Sequence, residues 1–198
     1  MKKTVYGIIL LILTLGFSGC AGTVKHMNVA SVDKTMEAPK NGKSKIVFMR
    51  PKAYGYAVQS SVFEINNNQP SIVGIVPAKK KISYELEPGQ HFFMVVGESA
   101  DFMTATVEAN KTYYVLVVPR MGLWKARFSL RPIHTNEFST EELNAWLNEC
   151  QLLEISEETQ KWADENSDST QSKYNEYYKD WMEKEAATRP ALLIEDGK

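Results

Sequence analysis

Short apolar runs fill residues 45 to 133 and constrain the fold more than any other feature of the chain. They are rich in Val, Ile, Phe and Tyr and are separated by turn-forming residues, which is the pattern of an antiparallel sheet. About eight strands are predicted, over residues 45 to 50, 57 to 66, 72 to 76, 81 to 87, 91 to 97, 103 to 109, 112 to 118 and 124 to 132. The turns fit this arrangement, because Asn67 and Asn68 tolerate left-handed backbone geometry and Pro88 with Gly89 favours a reversal.

The side-chain pattern indicates how many faces of each strand are buried. Ile82, Tyr84 and Leu86 alternate with polar residues, so this strand is expected to have one wet face. Residues 92 to 96 and 113 to 118 are apolar on both sides, as in strands that are covered on both faces. The sequence therefore predicts an all-β domain over residues 45 to 138, an antiparallel β-sandwich of about eight strands.

Residues 139 to 198 predict an acidic α-helical C-terminal extension. Ser139 and Glu142 have the spacing of a capping box, so a helix is expected to begin there and to run to about residue 150. A second helical stretch is predicted over residues 156 to 187, with a break near residues 166 to 170, and fraying is expected after Pro190.

Four aromatic residues of the second helical stretch share one helix face, because they recur at offsets of three, four and seven. We call them the aromatic stripe; they are Tyr174, Tyr177, Tyr178 and Trp181. Tyr and Trp are favoured where a helix meets a partner and keeps its polar tips wet. The stripe is therefore a candidate binding surface. It is expected to pack on the β-domain of the same chain or, alternatively, to contact another envelope protein.

The N-terminus has the order of a bacterial export signal. Lys2 and Lys3 precede an almost wholly apolar stretch over residues 5 to 17, and two small residues then lead to Cys20. Residues 17 to 20 (FSGC) resemble the lipobox of bacterial lipoproteins, although Phe17 stands where leucine is usual. The resemblance implies a lipoprotein signal peptide over residues 1 to 19 and lipid on Cys20, which would attach the protein to a membrane. An ordinary signal peptide and an uncleaved anchor are the alternatives.

The residues after Cys20 indicate where the protein is held. Ala21 stands where an aspartate would favour the inner membrane, so we expect the outer membrane of the bacterial cell envelope, facing the periplasm. Residues 20 to 44 are polar and patternless, and are expected to form a lipidated cysteine with a flexible tether that spans roughly 27 Å. With Cys20 lipidated, Cys150 has no disulfide partner and is expected to be a small buried hydrophobic residue.

Charge is distributed unevenly, although the formal net charge is −1. Residues 21 to 138 contain 15 basic and 9 acidic residues, whereas residues 139 to 198 contain 6 and 15. This asymmetry fits a tail that lies against its own domain, two different partners, or two separately solvated surfaces. Within the β-region, a basic strip of Lys125, Arg127 and Arg131 is a candidate binding surface for an anionic envelope polymer, with ordinary solubilising charge as the alternative.

No arrangement of residues identifies a reaction. His26, His91 and His134 are not spaced as metal ligands, and the chain has no nucleophile-elbow, zinc-protease or phosphate-binding motif. We therefore expect no catalytic residues, no metal and no cofactor. Nucleic acid is not expected as a partner, because the expected compartment lacks it.

Four short stretches carry a family resemblance. They are residues 45 to 51 (KIVFMRP), 73 to 75 (VGI), 86 to 91 (LEPGQH) and 109 to 114 (ANKTYY). Together they resemble small bacterial lipoproteins of the domain of unknown function 2846 family. The resemblance covers residues 45 to 118 and implies a compact β-sandwich behind a lipobox. It implies no function, and it does not extend to the helical tail.

These features favour a membrane-anchored envelope lipoprotein that acts as a non-enzymatic binding or structural module. The alternative is a hydrolase of cell-wall or lipid substrates whose active site follows no known motif. An enzyme of that kind is expected to show a cleft with convergent polar groups, whereas a binding module is expected to show flat or edge surfaces.

Overall fold

The computed structural model describes residues 24 to 120, 127 to 135 and 137 to 198. The expected signal peptide, Cys20 and Lys125 therefore lie outside the described residues. The described chain is predominantly β, with two sheets and a C-terminal helical part. Within it, no helix combines the length and the apolar character that crossing a membrane requires.

The strands are β1 (Met27–Val29), β2 (Ser44–Arg50), β3 (Ser61–Asn66), β4 (Gln69–Ile75), β5 (Lys80–Leu86), β6 (Gly89–Val96), β7 (Ala100–Val107), β8 (Thr112–Arg120), β9 (Arg127–Pro132), β10 (Gln151–Ile155) and β11 (Ala191–Leu192). The α-helices are α1 (Thr140–Glu149), α2 (Glu157–Glu165) and α3 (Ser167–Glu183). The first sheet has the order β1-β10-β5-β2-β8-β9, and the second has the order β11-β7-β6-β3-β4.

The local predictions are confirmed for β2 to β9, for the turns and for the first helix. Asn67 and Asn68 have positive φ angles of 51° and 63°, as the left-handed turn requires. Ser139 and Glu142 form both hydrogen bonds of the capping box at the start of α1. The break in the second helical stretch falls at Asn166, between α2 and α3.

The expected all-β, purely antiparallel sandwich is wrong in two respects. Both sheets are mixed, because β2 pairs in parallel with β8, β10 with β5, and β11 with β7. The helical part also contributes strands, since β10 lies between α1 and α2 and β11 follows α3. Each parallel pair joins segments far apart in sequence, and the alternation of side chains within one strand carries no information about such a partner.

The two sheets share one hydrophobic core, an arrangement consistent with a β-sandwich. Phe48 and Val115 enter the core from the first sheet, and Phe93 and Met103 enter it from the second. The outer faces of both sheets are covered by helices. Helix α1 packs on the first sheet through Leu143 and Leu147, next to the buried Cys150. Helix α3 packs on the second sheet through its aromatic residues.

Both ends of the described chain differ from expectation. Residues 27 to 29, within the expected tether, pair with β10, and the Ala30 amide donates to the carbonyl of Leu152. The prediction of fraying after Pro190 is wrong, because β11 pairs with β7 and Leu192 is buried. The Lys198 amide and carbonyl partner Thr112, so the C-terminus lies beside β8. These short segments gain their order from pairing with an existing sheet edge.

Candidate functional site

Two cavities lie beside β9, with volumes of about 500 Å³ and about 330 Å³. They are neighbours, because they share three lining residues, Asp101, Arg120 and Lys184, and we call the two cavities together the β9 groove. These residues come from the start of β7, the end of β8 and the residue after α3. The groove therefore lies where the two sheets and the helical tail meet.

Asp101 is the buried centre of the groove. Its carboxylate accepts hydrogen bonds from Arg120 Nη2, from Ser129 Oγ at 2.5 Å and from Lys184 Nζ at 3.0 Å. Arg120 and Lys184 are each partly exposed, whereas the Asp101 side chain is 8% exposed. One carboxylate thus holds two cations at the groove surface. The local charge at this point remains positive.

Two of the three residues of the basic strip, Arg127 and Arg131, line the groove. Arg131 lines the larger cavity and is paired with Glu137, whereas Arg127 lines the smaller one. Arg127 lies directly opposite Arg120 in the register of β8 and β9. Like charges at opposed positions repel each other, and Arg120 is already bound to Asp101. The side chain of Arg127 makes no hydrogen bond or ion pair with any described residue, so its guanidinium is an open cationic contact.

The aromatic stripe divides between the protein core and the groove. Tyr174 and Trp181 are buried against the second sheet, where they meet Phe102 at ring-centroid distances of 5.9 and 6.0 Å. Tyr178 stacks on Tyr174 at 5.2 Å and is half-buried. Tyr177 and Trp181 line the smaller cavity. The expected packing on the chain's own domain is therefore what the structure shows for most of the stripe.

His134 adds an oriented imidazole to the larger cavity. Its Nδ1 lies 2.9 Å from the carboxylate of Asp196, which is buried and also accepts hydrogen bonds from the amides of Leu193 and Thr135. A buried carboxylate that fixes an imidazole is one half of a nucleophile-activating arrangement. Among the described residues, however, no hydroxyl is hydrogen-bonded to His134. A nucleophile in contact with the imidazole is not observed there.

A second histidine cluster connects the sheets away from the groove. The Glu64 carboxylate lies 2.5 Å from His91 Nδ1 and accepts a hydrogen bond of 2.7 Å from the Tyr84 hydroxyl, and His91 Nε2 lies 2.8 Å from the Glu87 carbonyl. Both acceptors of His91 are unprotonated oxygens, so the imidazolium satisfies both contacts. The hydrogen bond to Glu64 raises the pKa of His91, and the bond from His91 lowers the pKa of Glu64. With both ring nitrogens engaged, His91 stabilises the fold and is not poised as a base.

This cluster predicts a pH-dependent stability. The raised pKa of His91 stabilises the folded protein fully below the ordinary pKa of 6.5, and this stabilisation is lost as pH rises through the higher folded pKa. The lowered pKa of Glu64 stabilises the folded protein above the ordinary pKa of 4.5, and this stabilisation is lost as pH falls through the lower folded pKa. Wild type is expected to be more stable than His91→Gln by about 1.5 kcal/mol near pH 6, since a hydrogen bond to a charged group is lost. The difference is expected to shrink towards pH 9. Chemical denaturation at pH 5 to 9 measures it, and a constant difference would contradict the assignment.

The remaining candidate chemistry is sparse. The described residues contain no group of His, Cys, Asp and Glu that could hold a metal ion. Cys150 is buried, as expected, and burial raises the pKa of its thiol to about 11, which suppresses the reactive thiolate. Polar side chains from β7, β8, β9 and the residue after α3 converge at the groove.

Sequence reasoning missed the residues that organise the groove. Arg127, Arg131, Tyr177 and Trp181 were candidates, but Asp101 and Lys184 were not. Asp101 lies just before the predicted start of the strand at residue 103, and a carboxylate beside an otherwise apolar run is the one signal that could have identified it. Lys184 comes near Asp101 only because α3 packs on the second sheet. That contact is tertiary and leaves no local pattern.

No protein-family model matches the chain, and no curated protein matches it. A solved structure described as "NMR structure of the protein from Eubacterium rectale" aligns with 8% sequence identity and a TM-score of 0.28, over 53% of this chain and 99% of that one. The similarity to the domain of unknown function 2846 family remains a prediction from the sequence.

Proposed function

We propose that this protein is a lipid-anchored envelope lipoprotein whose β-rich domain binds an anionic envelope polymer in the β9 groove. The observation that carries the proposal is the meeting of two sequence-predicted features, since Arg127 of the basic strip and Tyr177 of the aromatic stripe line the same cavity. Arg127 and Arg131 reach the groove from β9, and Tyr177 reaches it from α3, about 50 residues later in the chain. The anchor at Cys20 and the outer-membrane location are part of the proposal and rest on the sequence.

The chemistry of the groove favours a ligand that carries carboxylate or phosphate groups. Arginine presents a planar fork of donors that matches such anions, and Arg127 has no described partner that competes for it. Tyr177 and Trp181 line the same cavity as Arg127 and add aromatic surface, suited to the apolar face of a sugar or to a peptide link.

Charge reversal at Arg127 tests this function. Arg127→Glu is expected to weaken binding to purified peptidoglycan sacculi or to lipopolysaccharide about tenfold or more, because a tenfold change needs only about 1.4 kcal/mol. The two polymers are offered separately, so that carboxylate-rich and phosphate-rich ligands are distinguished. Co-sedimentation and titration at two ionic strengths measure binding, which is expected to weaken as salt screens the contact.

Lys161→Glu is the matched control, since Lys161 is exposed on α2 and does not line the groove. It makes the same change of charge at a distant surface and is expected to leave binding unchanged. Equal losses in both variants would show a nonspecific charge effect and would overturn the groove as the site. Failure of the wild-type protein to bind either polymer would also overturn the groove as the site.

The hydrolase of cell-wall or lipid substrates remains the second candidate, favoured by the His134 and Asp196 pair at the larger cavity. It predicts release of soluble products from either polymer, and loss of that release in His134→Ala. The binding proposal predicts retention of intact polymer by the wild-type protein. The same co-sedimentation experiment distinguishes the two candidates, because soluble products in the supernatant indicate a hydrolase and their absence indicates that the polymer is bound intact.

A further inference from the structure

The smaller cavity of the β9 groove is lined by one face of helix α3 and by residues of both sheets. Tyr177, Asp180, Trp181 and Lys184 recur at offsets of three, four and seven, so they lie on one face at the C-terminal end of α3. The other lining residues belong to β7, β8, β9 and the turn before β7. The volume of about 330 Å³ is at the lower end of the range of ligand pockets, so the cavity suits one residue of a polymer.

Five charged residues line this cavity, and three of them already satisfy one another. Asp101 accepts hydrogen bonds from Arg120 and Lys184, so these side chains form one paired group. Arg127 and Asp180 remain. Both are exposed, and the side chain of neither makes an ion pair or a hydrogen bond with any described residue, including the other. The cavity thus presents one open cation from β9 and one open anion from α3.

Asp180 makes this cavity a poor match for a ligand whose charges are all negative. Such a ligand would be attracted by Arg127 and repelled by the carboxylate of Asp180 in the same cavity. A ligand that carries an ammonium group beside its carboxylate or phosphate satisfies both open charges. The pair of charges therefore favours a zwitterion over a simple anion.

Ser99 and three aromatic residues supply the remaining contacts. Ser99 is only 6% exposed, and its hydroxyl has no hydrogen-bond partner among the described residues. Buried polar groups normally have such a partner, so this hydroxyl is available to a ligand that enters the cavity. Phe128, Tyr177 and Trp181 line the same cavity and suit the aliphatic part of an amino acid and the positive charge that it carries.

We propose that the smaller cavity binds a zwitterionic amino-acid residue of the envelope polymer, with the anionic group of that residue at Arg127 and its ammonium at Asp180. The inference rests on the polymer binding of the proposed function and narrows its ligand. Peptidoglycan has the required chemistry, because its peptide stems carry free amino groups as well as carboxyl groups. Asp180 then determines specificity, since it disfavours polymers whose charges are all negative.

Blocking the amines of the polymer, combined with Asp180→Asn, tests the inference. The full-length protein is titrated by co-sedimentation with untreated peptidoglycan sacculi and with sacculi whose amines are acetylated, which removes the positive charges and keeps the carboxylates. Acetylation is expected to weaken binding of the wild type about tenfold, and so is Asp180→Asn on untreated sacculi. Both changes together should weaken binding little more than either alone, because they remove the same contact.

A simple anion in the cavity would give effects of the opposite sign. Asp180→Asn would then strengthen binding by removing a repulsion, and acetylation would not weaken it. Either result, or losses that add fully, would overturn the zwitterion while leaving a binding that depends on Arg127 intact. Binding of lipopolysaccharide but not of sacculi would likewise keep the proposed function and overturn this inference. Absence of binding to both polymers would overturn both.

Glu176→Gln is the matched control. Glu176 is exposed on α3, about one helical turn before Asp180, and does not line the cavity. The same loss of one negative charge is expected to leave binding to both forms of the sacculi unchanged. Equal effects in the two variants would show a general charge effect and would overturn the role of Asp180. Asp180→Asn should leave the denaturant midpoint unchanged, because the side chain is exposed and unpaired in the described part of the chain.

Discussion

Replacing Phe102 by alanine is expected to lower the free energy of unfolding by about 3 to 5 kcal/mol, the cost of emptying a large aromatic site in a core. Phe102 is fully buried on β7 and stacks on Phe92 at 5.4 Å. Its ring also contacts three rings of α3, those of Tyr174, Tyr178 and Trp181. The variant is therefore expected to release α3 from the second sheet before the sheets themselves unfold.

Chemical denaturation and hydrogen exchange measure the two parts of this prediction. Phe48→Ala is the matched control, because Phe48 is equally buried but lies between the sheets and contacts Phe93 at 5.4 Å. Phe48→Ala should lower the free energy of unfolding by a similar amount, without a selective loss of hydrogen-exchange protection in α3. If α3 kept its protection in Phe102→Ala, or lost as much in both variants, the aromatic cluster would not be what holds the helix.

Local chemistry made much of the fold predictable. The strands β2 to β9 follow from short apolar runs and turn residues, and the start of α1 follows from Ser139 and Glu142, because each signal lies within a few residues of the structure that it specifies. The three strands that were missed, β1, β10 and β11, have three, five and two residues. Strands β1 and β11 have too few positions for alternation to be visible, and β10, with the sequence QLLEI, does not alternate between buried and exposed residues.

The parallel pairings were beyond the reach of a single sequence for a different reason. Strand β2 ends at Arg50 and its parallel neighbour β8 begins at Thr112. The strands between them pair mostly in the other sheet, and β5 alone joins β2 from this stretch. The packing of both layers decides which sheet each strand joins. The residues adjacent in sequence therefore do not predict the parallel pairing.

The groove shows the same division between local and tertiary information. Arg127 and Arg131 were visible as charges on alternate positions of one strand, and the aromatic stripe was visible as a helical face. Their meeting around Asp101 depends on the docking of α3, which places Lys184 against β7. Phe102, next to Asp101 on the same strand, packs under α3. Phe102→Ala is therefore expected to disturb the groove as well as the helix.

Arg50 carries the second large effect, because its buried guanidinium organises the loop over residues 51 to 60. It donates to the carbonyls of Val58 at 2.8 Å, Tyr54 at 3.1 Å and Gly55 at 2.6 Å, and it lies over the ring of Phe128 at 4.6 Å. Burial lowers its pKa to about 10. The sequence suggested only that Arg50 ends a strand, whereas the structure shows it acting as the donor that closes the loop.

Arg50→Met is expected to destabilise the protein by about 2 to 4 kcal/mol, since three carbonyls lose a charged donor and some of them stay buried. The loop should open, and trypsin should then cut after Lys52, which lies within it, faster than in the wild type. Arg50→Lys keeps the charge but loses the fork of donors, so its effect should be intermediate. Mass spectrometry of the early fragments, together with denaturant unfolding, separates loop opening from global unfolding. If trypsin cut Arg50→Met after Lys52 no faster than it cuts the wild type, the loop would hold its shape without the guanidinium.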